Sequence, residues 1–421
     1  MKVLIIGGGG REHALAWKIS QSPTVKKIYV APGNGGTDLD KNIENIDITD
    51  IQDLINFAIK KKINLTVVGP EAPLAVGIVD AFRKNNLAIF GPTKAAAQLE
   101  SSKEFSKSFM ARHNIPTAKF ATFEDTNSAH DYLQNNPAPI VIKADGLASG
   151  KGVVVAMTNK EAHEAVDSML SEKIYGSAGK KIIIEEFLEG EEASFIVICD
   201  GSTILPLDSS QDHKRLLNND AGPNTGGMGA YSPAPLVTDE VNKKIMDQVI
   251  IPTIEGMKKE GIEFSGFLYA GIIVEPNKNI KTLEFNCRMG DPETQPLLFR
   301  MQGDLFSVLL KAAKQELEGV EINWDSEHAI TIVMASKDYP TKPILGIEIN
   351  LPDIQDEDTF IFHAGTNLEK NKLLTSGGRV LGITAKGKTL EIAKNKAYDV
   401  LEKVKFDGRQ FRTDIGEKAL N

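Results

Sequence analysis

Cysteine is nearly absent from the sequence: Cys199 and Cys287 are the only two in 421 residues. Two thiols so far apart build no disulfide framework, so both are expected as small buried hydrophobes in a reducing compartment. Missing too is any apolar run near the roughly 18 residues of a membrane span, and the first residues read as a strand rather than a signal peptide. A cytoplasmic location with no membrane partner is expected. There is no excess of basic charge: 48 Lys and Arg against 57 Asp and Glu leave a formal net charge of −9. That argues against general affinity for nucleic acid and leaves room for a local basic pocket around a phosphorylated small molecule. Neither a repeat nor a low-complexity tract is present. What remains is an ordinary composition, 41% hydrophobic and 25% charged, in a chain long enough for roughly two to four domains.

From residue 1 to 100 apolar runs ending in Gly or Pro alternate with helical patterns such as Ile51–Lys62 and Val76–Asn85. This predicts βα units on a parallel sheet, with the turns gathered at one edge where α/β sheets bind ligands. Residues 101–136 turn helical and polar and end in "NNPAP", a hinge. A compact βαβ-like module follows, from "PIVIKADG" through a helix near Lys160–Ser171 to "KIIIEEFLEG". Several strands then run to about residue 325, and from His328 a small mixed unit is closed by a helix from Thr389 to about Val404. The fold class is α/β, in several domains.

Four segments carry chemistry. "LIIGGGGREHA" at 4–14 is a strand-to-helix turn suited to an anion. The third small residue of a dinucleotide fingerprint is missing, its place falling on Glu12 or His13. In "IKADGLASGKGVVVA" Lys143 precedes a loop with Gly146, Ser149, Gly150, Lys151 and Gly152. This is no Walker loop, because Gly152 and a strand follow Lys151; it either folds over a triphosphate or is a surface hairpin. "IIIEEFLEGEEAS" offers Phe187 and Leu188 to an adenine ring, backbone near Glu186 and Leu188 to its edge, and Glu192 to ribose hydroxyls; a solvated acidic turn reads equally well. In "LEFNCRMGDPETQ", Glu284 and Asn286 share one face of a strand, as two oxygen ligands of Mg²⁺ would, with Arg288 on that face if the strand continues. Structural ion pairing is the alternative there.

Together these segments resemble the ATP-grasp family and, within it, the glycinamide ribonucleotide synthetase family. "RMGDPETQ" at Arg288–Gln295 is similar to that family's signature. "GGGGREHA", "IKADGLASGKGV", "SSQDHKR" at 209–215 and "NTGGMGAYSP" at 224–233 match it in order, over nearly the whole chain. Met289 departs from an expected Phe or Leu, and "FLYAGIIV" lacks the acid that often precedes the Glu-x-Asn pair and holds a second metal ion.

The resemblance implies a Rossmann-like domain over 1–100 and an ATP-grasp core over 101–136 and 194–327, with a mobile lid over 137–193 and a C-terminal domain over 328–421. It implies a monomeric, ADP-forming ligase of purine synthesis. Such an enzyme joins glycine to 5-phosphoribosylamine through glycyl phosphate, with ATP as co-substrate and Mg²⁺ or Mn²⁺ as cofactor. By position, Lys103 and Lys143 contact ATP phosphates or adenine, the loop Gly146 to Gly152 the phosphates, Glu185, Glu186, Phe187 and Leu188 the adenine, and Glu192 the ribose. Glu284 and Asn286 hold the metal, while Arg288 holds the developing acyl phosphate. Asp212, Lys214, Thr225, Gly226, Gly227, Met228, Asp291 and Glu293 surround glycine and phosphoribosylamine, Asp291 and Glu293 being alternatively charge partners of Arg288. With ATP so placed, Gly9, Gly10, Arg11 and Glu12 are left for the 5′-phosphate. Two rivals are a carboxylase of the same family, which would differ in "SSQDHKR" and "RMGDPETQ", and a nicotinamide-dependent dehydrogenase, which leaves the Glu-x-Asn pair unexplained.

Overall fold

The computed structural model describes residues 1–146, 152–171, 180–354 and 356–420. Lys2–Gly7 lies at the centre of a five-stranded parallel sheet, between Lys27–Pro32 and Leu65–Val68, with Ile43–Asn45 and Ile89–Phe90 at the edges. Val3 to Ile6 are all buried, as a parallel strand covered on both faces requires. Asp50 caps the helix Ile51–Lys61 by accepting from Gln52 N and Asp53 N, and Lys62 ends it in the left-handed region. Chain order reverses between Lys2–Gly7 and Leu65–Val68, which puts the turns at Gly7 and Gly69 on either side of the switch point. Glu12 fills that gap, and a side chain at Gly7 or Gly69 would overlap it.

The second sheet is antiparallel. Glu191–Asp200 and Ser265–Val274 pair along their whole length, Ile280–Asn286 flanks the latter and Ile204–Pro206 the former. Every residue of Ser265–Val274 is buried. The parallel sheet and this one share a core on each face: Leu4 and Tyr29 cluster with Phe195 and Leu268, and Val3 and Ile5 with Ile196 and Phe267.

A third sheet, in the order Phe120–Phe123, Ile182–Glu186, Ile140–Ala144, Val153–Ala156, is backed by the helices Thr126–Asn135 and Asn159–Val166. It takes in Phe120–Phe123, upstream of the expected start at 137. Its apolar cluster, including Leu133, Ile142, Val166 and Ile184, is its own.

The last sheet joins Gln211–Asp212 and Gly229–Ser232 to His328–Ala335, Arg379–Gly387 and Thr359–His363. A sheet thus runs across the boundary expected at 328, built partly from the segment that carries Asp212. The helix Leu390–Leu401, capped by Thr389, covers it. Both cysteines are buried, and among the described residues no helix is long and apolar enough to cross a membrane.

Candidate active site

The two antiparallel sheets are joined by residues 187–190, with Phe187 and Leu188 half-buried in that linker. On the small sheet, Lys143 donates to Glu185 Oε2 at 2.9 Å, and Lys107 reaches the same oxygen at 2.9 Å. Glu185 Oε1 is buried without a partner. Burial pushes the Lys107 ammonium down to about 8 against the opposing pull of Glu185. Lys103 donates to Gly146 O at 2.9 Å, and Ala144 N closes the hairpin on Gly152 O at 2.8 Å. Ser149, Gly150 and Lys151 lie outside the described residues. Glu186 points away from this group, to Lys281 at 2.9 Å, and its amide donates to Lys119 O.

Across the cleft Glu284 has no direct hydrogen-bond or ion-pair partner among the described residues. Burial raises its carboxyl, but Lys214, Lys143, Lys103 and Arg288 outweigh that and leave it below the usual range. A carboxylate held ionised among four cations, yet bonded to none of them, fits a metal and a polyphosphate arriving together. Asn286 Oδ1 supplies a second oxygen and here accepts from Arg288 Nη2 at 3.1 Å. The strand stops at Asn286, and Arg288 stays on the same side by folding back.

The ion-pair partners of Arg288 are Glu100, 2.9 Å away, and Glu71, at 3.6 Å. Asp291 and Glu293 make no ion pair with Arg288 but stand near enough for charge to act between them, Glu293 on Arg288 and Arg288 on Asp291. Glu293 instead accepts from Ser194 Oγ at 3.1 Å, itself 2.9 Å from Tyr269 Oη. Asp291 pairs with Arg379 at 3.2 Å.

Lys214 contacts Glu192, and with Asp212 it lies in the part of the chain that joins the last sheet. Asp212 has no direct partner among the described residues. Burial raises its carboxyl well above the usual range, Lys214 opposes this, and Glu293 and Glu192 add to it. Thr225 is fixed on Lys214 O by its amide at 2.7 Å and its hydroxyl at 2.9 Å, and Met228 N donates to His213 O. Gly227, at φ 113°, passes so close to Pro292 that a Cβ would stand 2.5 Å from its ring. Arg379 binds the carbonyls of Gly226, at 2.7 Å, and Asp291.

At the amino-terminal turn the structure keeps the strand and helix but alters the charge. Glu12 Oε2 accepts from Gly9 N at 2.6 Å, and Arg11 pairs with Glu12 at 2.5 Å while reaching Met289 O at 3.1 Å. Arg11 is therefore no free cation, and the Gly9 amide is already used. A carboxylate where a pyrophosphate would lie disfavours the dinucleotide reading. Gly10 remains close to Gln295 and Asp291.

Lys107, Tyr269, Glu100 and Arg379 were not legible as site residues. Only Lys107 carried a signal, standing one helical turn after Lys103.

Two antiparallel sheets joined by residues 187–190, with Lys143 and Glu185 on one and a Glu-x-Asn strand on the other, define an ATP-grasp ligase, a class that uses ATP with a divalent metal. The family models described as phosphoribosylglycinamide synthetase match here in three parts: the N domain over residues 1–100, the ATP-grasp (A) domain over 101–294 and the C domain over 329–418. A phosphoribosylamine–glycine ligase of Ralstonia nicotianae is 57% identical over 420 residues, covering 100% of both chains. One from Neisseria meningitidis serogroup A is 55% identical over 422 residues, again with 100% of both covered. The crystal structure of phosphoribosylamine–glycine ligase from Thermotoga maritima superposes with a TM-score of 0.85 at 33% identity, covering 98% of this chain and 100% of that one. A biotin carboxylase from Campylobacter jejuni shares the fold, with a TM-score of 0.75 at 16% identity over 97% and 92% of the two chains. The chain belongs to the phosphoribosylglycinamide synthetase family.

Proposed function

We propose that the cleft between the two antiparallel sheets joins glycine to phosphoribosylamine through glycyl phosphate. The overall reaction, ATP-dependent ligation of glycine to phosphoribosylamine in purine biosynthesis, is that of the family. The assignment of its steps to residues is our own. The observation that carries it is Glu284, ionised and without a direct partner among Lys103, Lys143, Lys214 and Arg288.

A carboxylate is a poor acylating agent, so its oxygen first takes the γ-phosphoryl group and ADP leaves. The amine then attacks the carbonyl, the C–O bond to phosphate breaks, and the amine gives up a proton. Lys103, Lys107 and Lys143 hold the ATP phosphates, with Glu185 keeping the last two in place. Phe187 and Leu188 seat the adenine, and Glu192 meets the ribose. Glu284 and Asn286 hold Mg²⁺, which when bound neutralises charge on the transferring phosphoryl group. Arg288 stabilises the acyl phosphate. Asp212 stands free beside Lys214 to meet an amine, either the ammonium of glycine or the attacking nitrogen as it loses its proton. Residues 225–228, pinned by Arg379, and Asp291 wall the acceptor side. The small sheet, with its own core, acts as the lid that excludes water.

Gly10 and the crevice at Gly69 to Glu71 face phosphoribosylamine. The 5′-phosphate binds at this turn when Glu12 releases the Gly9 amide and Arg11. An assay omitting each substrate in turn tests the reading: ADP release should need glycine, phosphoribosylamine and Mg²⁺ together. Release supported by bicarbonate in place of glycine would assign the site to a carboxylase instead.

A further inference from the structure

We propose that Glu100 is a positioning residue for Arg288, anchoring its guanidinium so that Arg288 can leave Asn286 to the metal and turn to the acyl phosphate. The proposal rests on the roles given above to Asn286 and Arg288. Glu100 lies on the short helix Gln98–Ser101, outside the cleft and at the junction of the first two domains. Both its oxygens are committed to the end of the Glu-x-Asn strand. Oε2 accepts from Cys287 N at 2.7 Å, and Oε1 meets Arg288 Nη2 at 2.9 Å. The carboxylate is buried, 9% exposed, which no surface ion pair would be.

The same nitrogen, Arg288 Nη2, donates to Asn286 Oδ1 at 3.1 Å. A guanidinium hydrogen and a metal ion compete for that amide oxygen, so binding the metal displaces Arg288 from Asn286. Arg288 Nε has no hydrogen bond, with Glu71 Oε2 standing off at 3.6 Å. Of the two acids beside the guanidinium, Glu100 alone holds it at hydrogen-bond distance, and through Cys287 N it also fixes the backbone from which Asn286 projects. Its bond to Arg288 survives the exchange at Asn286, so the guanidinium pivots about a fixed point. Without that charge the guanidinium would settle on Asn286 or swing to Glu71.

Glu100→Gln keeps the shape and an acceptor for Cys287 N while removing the charge. The expected result is a thermal midpoint close to the parent's, kcat lower by roughly 10- to 100-fold from loss of alignment, and little change in KM for ATP. The Mg²⁺ concentration for half-maximal rate should rise, and Mn²⁺ should bind the protein with ATP more weakly when followed by electron paramagnetic resonance. In an Arg288→Lys background Glu100→Gln should add little, since interacting residues are not additive. Multiplying effects, or unchanged Mn²⁺ affinity, would overturn the proposal. If Arg288→Lys alone keeps full kcat, it is the role of Arg288 in the active site that fails. Should Glu100→Gln not fold, Glu100→Asp gives the same readouts, with a retracted carboxylate in place of a missing charge.

Discussion

Lys107 and Glu185 stand 2.9 Å apart, both almost wholly buried, and Lys143 meets the same carboxylate oxygen at the same distance. Burial brings Lys107 down to about 8, so its charge is lost within reach of ordinary assays. ATP binding should weaken as pH rises through about 8, and in Lys107→Arg that limb should move to higher pH. Stability should move the other way. The unfolded chain holds this proton up to about 10.4, so between these values unfolding takes up a proton and this group's contribution to stability rises with pH. Isothermal titration with ATP and urea unfolding, both from pH 7 to 9.5, check the two signs.

Glu284→Gln should lower turnover by roughly 100-fold or more, as loss of a charge aimed at the transferring group does. The glutamine keeps the shape of a side chain that no described residue bonds, so the thermal midpoint should change little. Near-normal turnover at limiting Mg²⁺ would remove Glu284 from the metal site.

At Gly10 an added Cβ would stand 2.7 Å from Gln295 Nε2, the group that bonds Asp291 Oδ1 at 3.1 Å. Gly10→Val should therefore disturb the acceptor side and raise KM for phosphoribosylamine several-fold. KM for ATP should be unaffected, and steady-state kinetics with each substrate varied separates the two.

His13 and His363 are buried together where the first domain meets the last sheet, and His13 Nδ1 accepts from His363 N at 2.9 Å. Burial holds both below the ordinary histidine range, with His363 at about 4. The unfolded chain takes up these protons near pH 6.5 and the folded one does not. Stability is thus complete above that pH and declines as it falls toward 4. His13→Gln, which keeps an acceptor but cannot titrate, should flatten the decline in urea unfolding between pH 7 and 5; an identical slope would place the sensitivity elsewhere, for instance at His213.

The sequence made visible those features that depend on near neighbours along the chain. Gly7, Gly33, Gly69 and Gly91 do close four strands of the parallel sheet at one edge, and at Gly7, Gly33 and Gly91 a positive φ after an apolar run leaves a local trace. Glu284 and Asn286 share a face because a strand alternates. Arg379 and Glu100 left no such trace: each acts on a residue far away in sequence, Asp291 or Arg288, and neither stands in a recognisable pattern. The burial of Lys107 was likewise invisible, since a lysine on a polar helix reads as exposed. Arg11 misled in the opposite sense, because its partner is the next residue, yet only the fold turns the Glu12 carboxylate back onto the Gly9 amide.

The sheet that carries Lys143 and Glu185 buries an apolar cluster separate from the rest, whereas the first domain and the antiparallel core share theirs. Cooperativity follows shared cores, so this molecule should come apart in at least two steps. Backbone amides of Ile140–Ala144 should exchange with deuterium through an opening that leaves Leu4 and Leu268 protected. The calorimetric enthalpy should then exceed the van't Hoff value for the first transition. ATP, bridging the two sheets, should draw the steps together.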